Sequence, residues 1–284
     1  MTYSPTVRRR RLSLALLQFR RDAGLRAEEA ARRLGWQASK ITRIERNEWR
    51  RPNLSDVLDL LDAYEVTDES TRQAIITLTR EARKRGWWEE TQYRDILGAA
   101  LIGLEWEASE IRTFETVLVP GLFQTRDYAA AVFRAGRVMD EQEVQRQVEA
   151  RLTRQQLLDR DDPPAFWVII DEAALRKHVG GPEVMRGQLR HLRALAERPN
   201  IGLQVLPDTA GAHMSMNGPF TILDYRDDRD LSIVYVEVGR PGDLFLEAPE
   251  DVGHYRRKYE YLQGSALSVE ESAAYLDKLM NLLG

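Results

Sequence analysis

Apolar positions in the first part of the chain recur at helical spacing. Leu12, Leu16, Phe19 and Ala23 share one helix face, and Gly24 stands where a left-handed residue would close that helix. A second short helix is expected over residues 27–34, with Glu28 and Glu29 in its first turn, where the helix dipole favours acids. Gly35 follows. A third helix spans about 37–46, with Ile41 and Ile44 facing inward. Residues 47–51 read as a polar turn, and Pro52 presets a fourth helix whose apolar face carries Leu54, Val57, Leu58, Leu61 and Tyr64. Thr67 is the expected cap of a fifth, which carries Ile75, Ile76 and Leu78 and ends in Arg83-Lys84-Arg85.

The pattern changes at Gly86-Trp87-Trp88, which places a domain boundary there and divides the chain into 1–86 and 87–284. Helices are expected around 93–112 and 125–159, with an apolar loop or short extended piece at 117–122 between them and a turn at 161–164. Runs rich in Val, Ile and aromatics then predict strands at 166–170, 201–206, 220–225, 233–238 and 244–246. A helix opened by Gly180-Gly181-Pro182 separates the first two, which favours a parallel pair, while the later strands read as hairpins. Two helices end the pattern, at about 249–263 and 269–282, the latter behind the capping box Ser268-Val269-Glu270-Glu271. The expected class is α+β: an all-α five-helix head, then an α+β domain with a small mixed sheet.

Composition narrows the chemistry. The chain of 284 residues has no cysteine, which removes disulfides, thiolate catalysis and cysteine–zinc sites and suits a reducing cytoplasm. No apolar run reaches 18 residues, so no membrane helix is expected. The basic start, residues 1–11, lacks the apolar stretch of a secretory signal. The net charge of −4 is unevenly spread: residues 1–51 hold fourteen Lys/Arg against five Asp/Glu, and the rest of the chain is acidic. A phosphate backbone would be drawn to the first fifty residues alone.

Residues 25–47, LRAEEAARRLGWQASKITRIERN, describe two helices that must cross closely. Ala31 permits the approach, Gly35 makes the bend, and Ile41 and Ile44 anchor the second helix. Its outward face then holds Gln37, Ala38, Ser39, Lys40, Thr42 and Arg43, on an element of a size that enters a major groove. A purely structural helical hairpin is the bland alternative.

This segment resembles the helix-turn-helix domains of phage-repressor-like (Xre-type) regulators. The resemblance rests on Glu28-Glu29-Ala30-Ala31, Leu34-Gly35 and Ile41-Thr42-Arg43-Ile44-Glu45, and covers roughly residues 8–66. It implies double-stranded DNA as partner. Gln37, Ala38, Ser39, Lys40, Thr42 and Arg43 become base-contact candidates, with Arg43 suited to a guanine and Ala38 and Thr42 to a thymine methyl. Arg26, Asn47, Arg50 and Arg51 become phosphate candidates. In that family the Glu at the place of Glu45 pairs with an arginine of the first helix, a place Arg20 holds here, so Arg20–Glu45 is expected to be structural. Three positions depart from the family. Ala27 replaces a phosphate-binding Gln, with Arg26 beside it as substitute. Asn47 replaces a turn Gly. Trp36 replaces a smaller residue and reads as packing against the fold.

From residue 90 to about 280 the chain looks like the C-terminal domain of actinobacterial antitoxin-like helix-turn-helix regulators. The matching segments are Phe114-Glu115, Val119 through Thr125, Tyr128-Ala129, Arg154-Gln155, Asp171 through Leu175, Gln204 through Pro207, and Ala266-Leu267-Ser268 with Glu271-Ser272. The resemblance implies a regulator often encoded beside a small partner protein. Catalysis is not expected: Asp171-Glu172 reads as acids at a helix start, and His178, His191, His213 and His254 have no metal-binding spacing. Neither phosphate-loop pattern nor a Gly-x-Ser-x-Gly elbow occurs, and no cofactor or metal is expected. The loop 208–219 reads as mobile in preference to lining a ligand pocket, and 117–123 as core in preference to a dimer surface. The expected whole is a homodimeric regulator controlled by a small molecule or small partner protein. The alternative is an antitoxin-like protein whose main task is to neutralise that partner.

Overall fold

The computed structural model describes residues 5–49, 51–90, 99–136, 140–227, 230–238 and 244–283. The chain forms two compact units, Met1–Glu107 and Ala108–Gly284.

The first unit contains α1 (Pro5–Asp22), α2 (Ala27–Leu34), α3 (Ala38–Glu45), α4 (Leu54–Ala63), α5 (Glu69–Ala82) and α6 (Ala99–Glu107). Its core joins Leu12 and Leu16 of α1, Ala30 and Ala31 of α2, Ile41 and Ile44 of α3, Val57, Leu60 and Leu61 of α4, and Ile75 and Leu78 of α5. The helix starts are chemically marked: the Asn53 side chain accepts from Ser55 N–H at 3.1 Å, and Asp68 accepts from Thr71 N–H at 2.7 Å. The fifth helix is therefore capped by Asp68, not Thr67, because Asp68 stands directly before the first helical residue and its carboxylate accepts from the free amide of Thr71. The turn after α3 is less polar than expected, since Trp49 packs on the core and its indole N–H donates to Ser13 at 3.0 Å.

Residues 87–90 and 99–107 belong to the first unit, which moves the boundary from Gly86 to Glu107. The physical reason is aromatic packing: Trp88 is buried, and the Trp87, Trp88 and Trp106 rings meet at 5.8–6.1 Å. Gly103 lets α6 lie against α1, since a Cβ there would stand 2.2 Å from the Thr6 hydroxyl oxygen.

The second unit contains β1 (Glu110–Glu115), α7 (Arg126–Ala135), α8 (Glu141–Gln155), β2 (Ala165–Asp171), α9 (Glu172–Arg176), α10 (Pro182–Leu195), β3 (Ile201–Leu206), β4 (Phe220–Asp224), β5 (Ile233–Val236), β6 (Leu244–Leu246), α11 (Pro249–Ser265) and α12 (Val269–Leu282). The sheet is mixed, in the order β3-β2-β1-β4-β5-β6. The first three strands are parallel, with Phe114 opposite Ile169 and Ile169 opposite Gln204, and β4–β6 continue antiparallel. The fold is thus α+β, as the pattern implied. One face packs Phe114, Ile169, Phe220, Ile222 and Val234 against Val252, Tyr259 and Leu262 of α11. Ser268 and Glu271 form the capping box of α12.

Two further expectations need correction. The helix expected over 93–112 ends at Glu107, and residues 110–115 form β1, the strand at the junction of the parallel and antiparallel parts; its beginning at 93–98 lies outside the described residues. The helix expected over 125–159 is two helices, because Asp140 starts α8 afresh by accepting from Glu143 N–H at 2.8 Å.

Candidate nucleic-acid interface

Two turns of the same build frame α3. At the end of α2, Gly35 sits at φ +66°, its N–H donates to Arg32 C=O at 3.4 Å, and Trp36 N–H donates to Ala31 C=O at 2.8 Å. At the end of α3, Asn47 sits at φ +57°, its N–H donates to Ile44 C=O at 3.1 Å, and Glu48 N–H donates to Arg43 C=O at 2.8 Å. Both satisfy the last carbonyls of a helix through one left-handed residue. The first turn aims α3 and the second fixes where it ends.

Buried contacts hold α3 from behind. Ile41 and Ile44 enter the core. Glu45 is buried, and its two oxygens accept from Arg20 Nε at 2.6 Å and Nη2 at 2.7 Å. Arg20 Nη1 also donates to Leu25 C=O at 2.7 Å, and the Tyr64 hydroxyl donates to Glu45 at 3.4 Å. The carboxylate raises the guanidinium pKa, and burial raises that of the Tyr64 phenol. This network ties α1 to α3 and shields the Glu45 carboxylate from solvent.

The six base-contact candidates separate by environment. Gln37, Ser39 and Arg43 are exposed. Ala38 is half-buried with its methyl against the core, and the half-buried Thr42 donates its hydroxyl to Ala38 C=O at 3.1 Å. Lys40 is half-buried: its Nζ lies 2.9 Å from Asp56 Oδ1 and 3.4 Å from the centre of the Trp36 ring. Trp36, Gln37, Ser39, Lys40 and Arg43 line a shallow concavity of about 310 Å³. Arg46, also exposed, completes the outer stripe. It lies three residues beyond Arg43 and seven beyond Ser39, a spacing that could have nominated it.

Of the phosphate candidates, Arg26 and Arg51 are exposed. Arg26 Nη2 donates to Glu29 at 3.3 Å, and its backbone N–H donates to the same carboxylate at 2.8 Å. These bonds lower the Glu29 pKa. Asn47 is half-buried, with an enclosed Oδ1 that has no hydrogen-bond partner among the described residues. Arg50 lies outside the described residues.

The second unit offers buried charge. Asp171 accepts from Ala173 N–H at 2.9 Å, at the start of α9. Glu172 accepts from the Tyr275 hydroxyl at 2.5 Å, from Asp208 N–H at 2.8 Å and from Arg176 at 2.9 Å, so this pair of acids joins elements together. The loop 208–219 is anchored at His213, whose side chain is enclosed and whose Nδ1 accepts from Ser215 N–H at 3.2 Å; Met214 and Met216 are exposed. Within 117–123, Val119, Leu122 and Phe123 are buried and Val117 is exposed. The Glu115 carboxyl is pushed up to about 8, first by burial and then by Glu237, against the hydrogen bond from Thr113 and the charges of Arg154 and Arg151. Among the described residues no three His, Cys, Asp or Glu side chains gather as a metal site, and no helix is long and apolar enough to cross a membrane.

The helix pair, its turn and the buried brace define a helix-turn-helix protein. Comparison agrees, as residues 11–74 match a family described as a helix-turn-helix domain, which makes the chain a DNA-binding regulator by class. Residues 99–278 match the family described as a domain of unknown function (DUF5753), and the chain belongs to that family. No curated protein and no solved structure matches it.

Proposed function

We propose that this protein is a sequence-specific transcriptional regulator of the Xre type that reads its operator with α3. The observation that carries this reading is the division of α3 into two faces. Ile41, Ile44 and Glu45 bind it to the head, while Ser39 and Arg43, with Gln37 just before the helix, stand exposed beside the concavity. Arg43 reads a guanine edge, and Gln37 and Ser39 add hydrogen bonds. Arg26 and Arg51, with Asn47, hold phosphates and set the register. A homodimer would place two heads in successive major grooves about 34 Å apart. The second unit receives the control signal, a small ligand or a small partner protein encoded nearby. The protein works in the cytoplasm as a binding protein and not as an enzyme.

Genome-wide mapping of bound DNA tests this reading. The expected result is a short enriched motif with two related half-sites, recovered by the purified protein in an anisotropy titration. A protein that enriches no motif and binds all duplexes alike would overturn it. Co-purification from its native cell tests the control step, and a stoichiometric small protein that weakens operator binding is the result expected for partner control.

A further inference from the structure

The Lys40 side chain is held in place on two sides. Its ammonium sits 2.9 Å from Asp56 Oδ1 and 3.4 Å from the Trp36 ring centre, while its neighbours Ser39 and Arg43 are exposed. Asp56 lies in the first turn of α4, where the helix dipole favours an acid whether or not Lys40 is present. The acid is therefore favoured there independently of the lysine. Both side chains keep partial solvent contact, 34% and 24% exposed, so the ion pair is a weak surface contact. The stacking on Trp36 adds a second modest attraction.

We infer that Asp56 and Trp36 form a latch that keeps Lys40 off the phosphates of random DNA, which makes Asp56 a specificity-determining positioning residue. This inference rests on the reading of α3 as the recognition helix. On a random duplex the helix has no base pattern to dock against, and Lys40 stays on Asp56. That removes one phosphate contact from the sequence-independent part of binding. On the operator, seated α3 carries Lys40 within reach of the groove, and a strongly acidic backbone replaces a single carboxylate as its partner. The latch thus subtracts more from non-specific than from specific binding, and the ratio of the two rises.

The test compares wild type, D56N, K40M and the double variant on an operator duplex and a scrambled duplex across a range of salt, with circular dichroism to check that each folds. D56N is expected to raise affinity for the scrambled duplex about two- to fivefold and to steepen its salt dependence by about one ion, with a smaller gain on the operator. In the K40M background the same D56N change is expected to do neither. The inference is overturned if D56N leaves the operator-to-scrambled ratio unchanged. It is overturned equally if the gain persists in K40M, because the acid then acts by plain charge repulsion and not through Lys40. Wild type that shows no preference between the duplexes would instead defeat the recognition-helix reading itself.

Discussion

Arg43 and Glu45 are two positions apart on one helix and do opposite work. Glu45 is buried against Arg20 with two hydrogen bonds below 2.8 Å, whereas Arg43 is exposed beside the concavity. Glu45→Ala would leave the Arg20 guanidinium enclosed without its carboxylate and is expected to cost about 2–4 kcal/mol, read from chemical unfolding of the full chain. Arg43→Ala should leave stability within about 0.5 kcal/mol. It should instead remove about 1–3 kcal/mol of discrimination at one base position, read from binding to an operator library. A stable Glu45→Ala protein would refute the bracing role, and an unaltered base profile for Arg43→Ala would refute the reading role. The resemblance to known regulators made the Arg20–Glu45 pair legible in the sequence. The fate of Lys40 was not legible, because Asp56 is sixteen positions away and only the folded head, with α4 docked on α2, brings it to the ammonium.

The turns that frame α3 show what a sequence discloses about an element. Gly35 and Asn47 were visible because a left-handed backbone has a short list of tolerated residues. A Cβ at Gly35 would meet nothing within 4 Å, so Gly35→Ala tests the backbone strain alone and should cost about 1 kcal/mol. Asn47→Gly, by contrast, should hold or raise stability, and thermal unfolding of the two variants decides the point. Strand β1 was hidden for the opposite reason. Its sequence, EIRTFE, puts Ile111 and Phe114 three apart, which fits a helix, and places charge inside what proves to be an interior strand. Arg112 is tolerated there because Asp224 on β4 accepts its guanidinium at 2.6 Å and Glu110 pairs with it on the same strand. The Asp224 part of that compensation comes from 112 residues away and leaves no local trace. The boundary at Gly86 failed in the same manner, since the Trp87–Trp88 composition change is real but its rings pack back onto Trp106.

At the scale of the molecule, charge sorts the work. The head carries the surplus of arginine, so duplex binding should weaken steeply with salt, and replacing the exposed phosphate candidate Arg51 by Ala should lower affinity for all sequences alike while reducing the salt slope by about one. The second unit encloses charge of its own, and Glu115 gives that a measurable consequence. Burial and the nearby Glu237 move its carboxyl from the usual 4.5 to about 8. Between those values the folded chain keeps a proton that the unfolded chain has released, so rising pH favours unfolding. The stabilising contribution of this group is complete below about 4.5 and is lost as the pH climbs through about 8. Thr113, Arg151 and Arg154 oppose the effect without cancelling it. Glu115→Gln keeps the shape and removes the titration. Its stability should match wild type near pH 4 and exceed it by a few kcal/mol, about 2–4, at pH 9, with a flatter profile between. Urea midpoints of both proteins at pH 4, 7 and 9 measure this directly. A constant offset across that range would mean that Glu115 ionises as an ordinary carboxylate in the folded state.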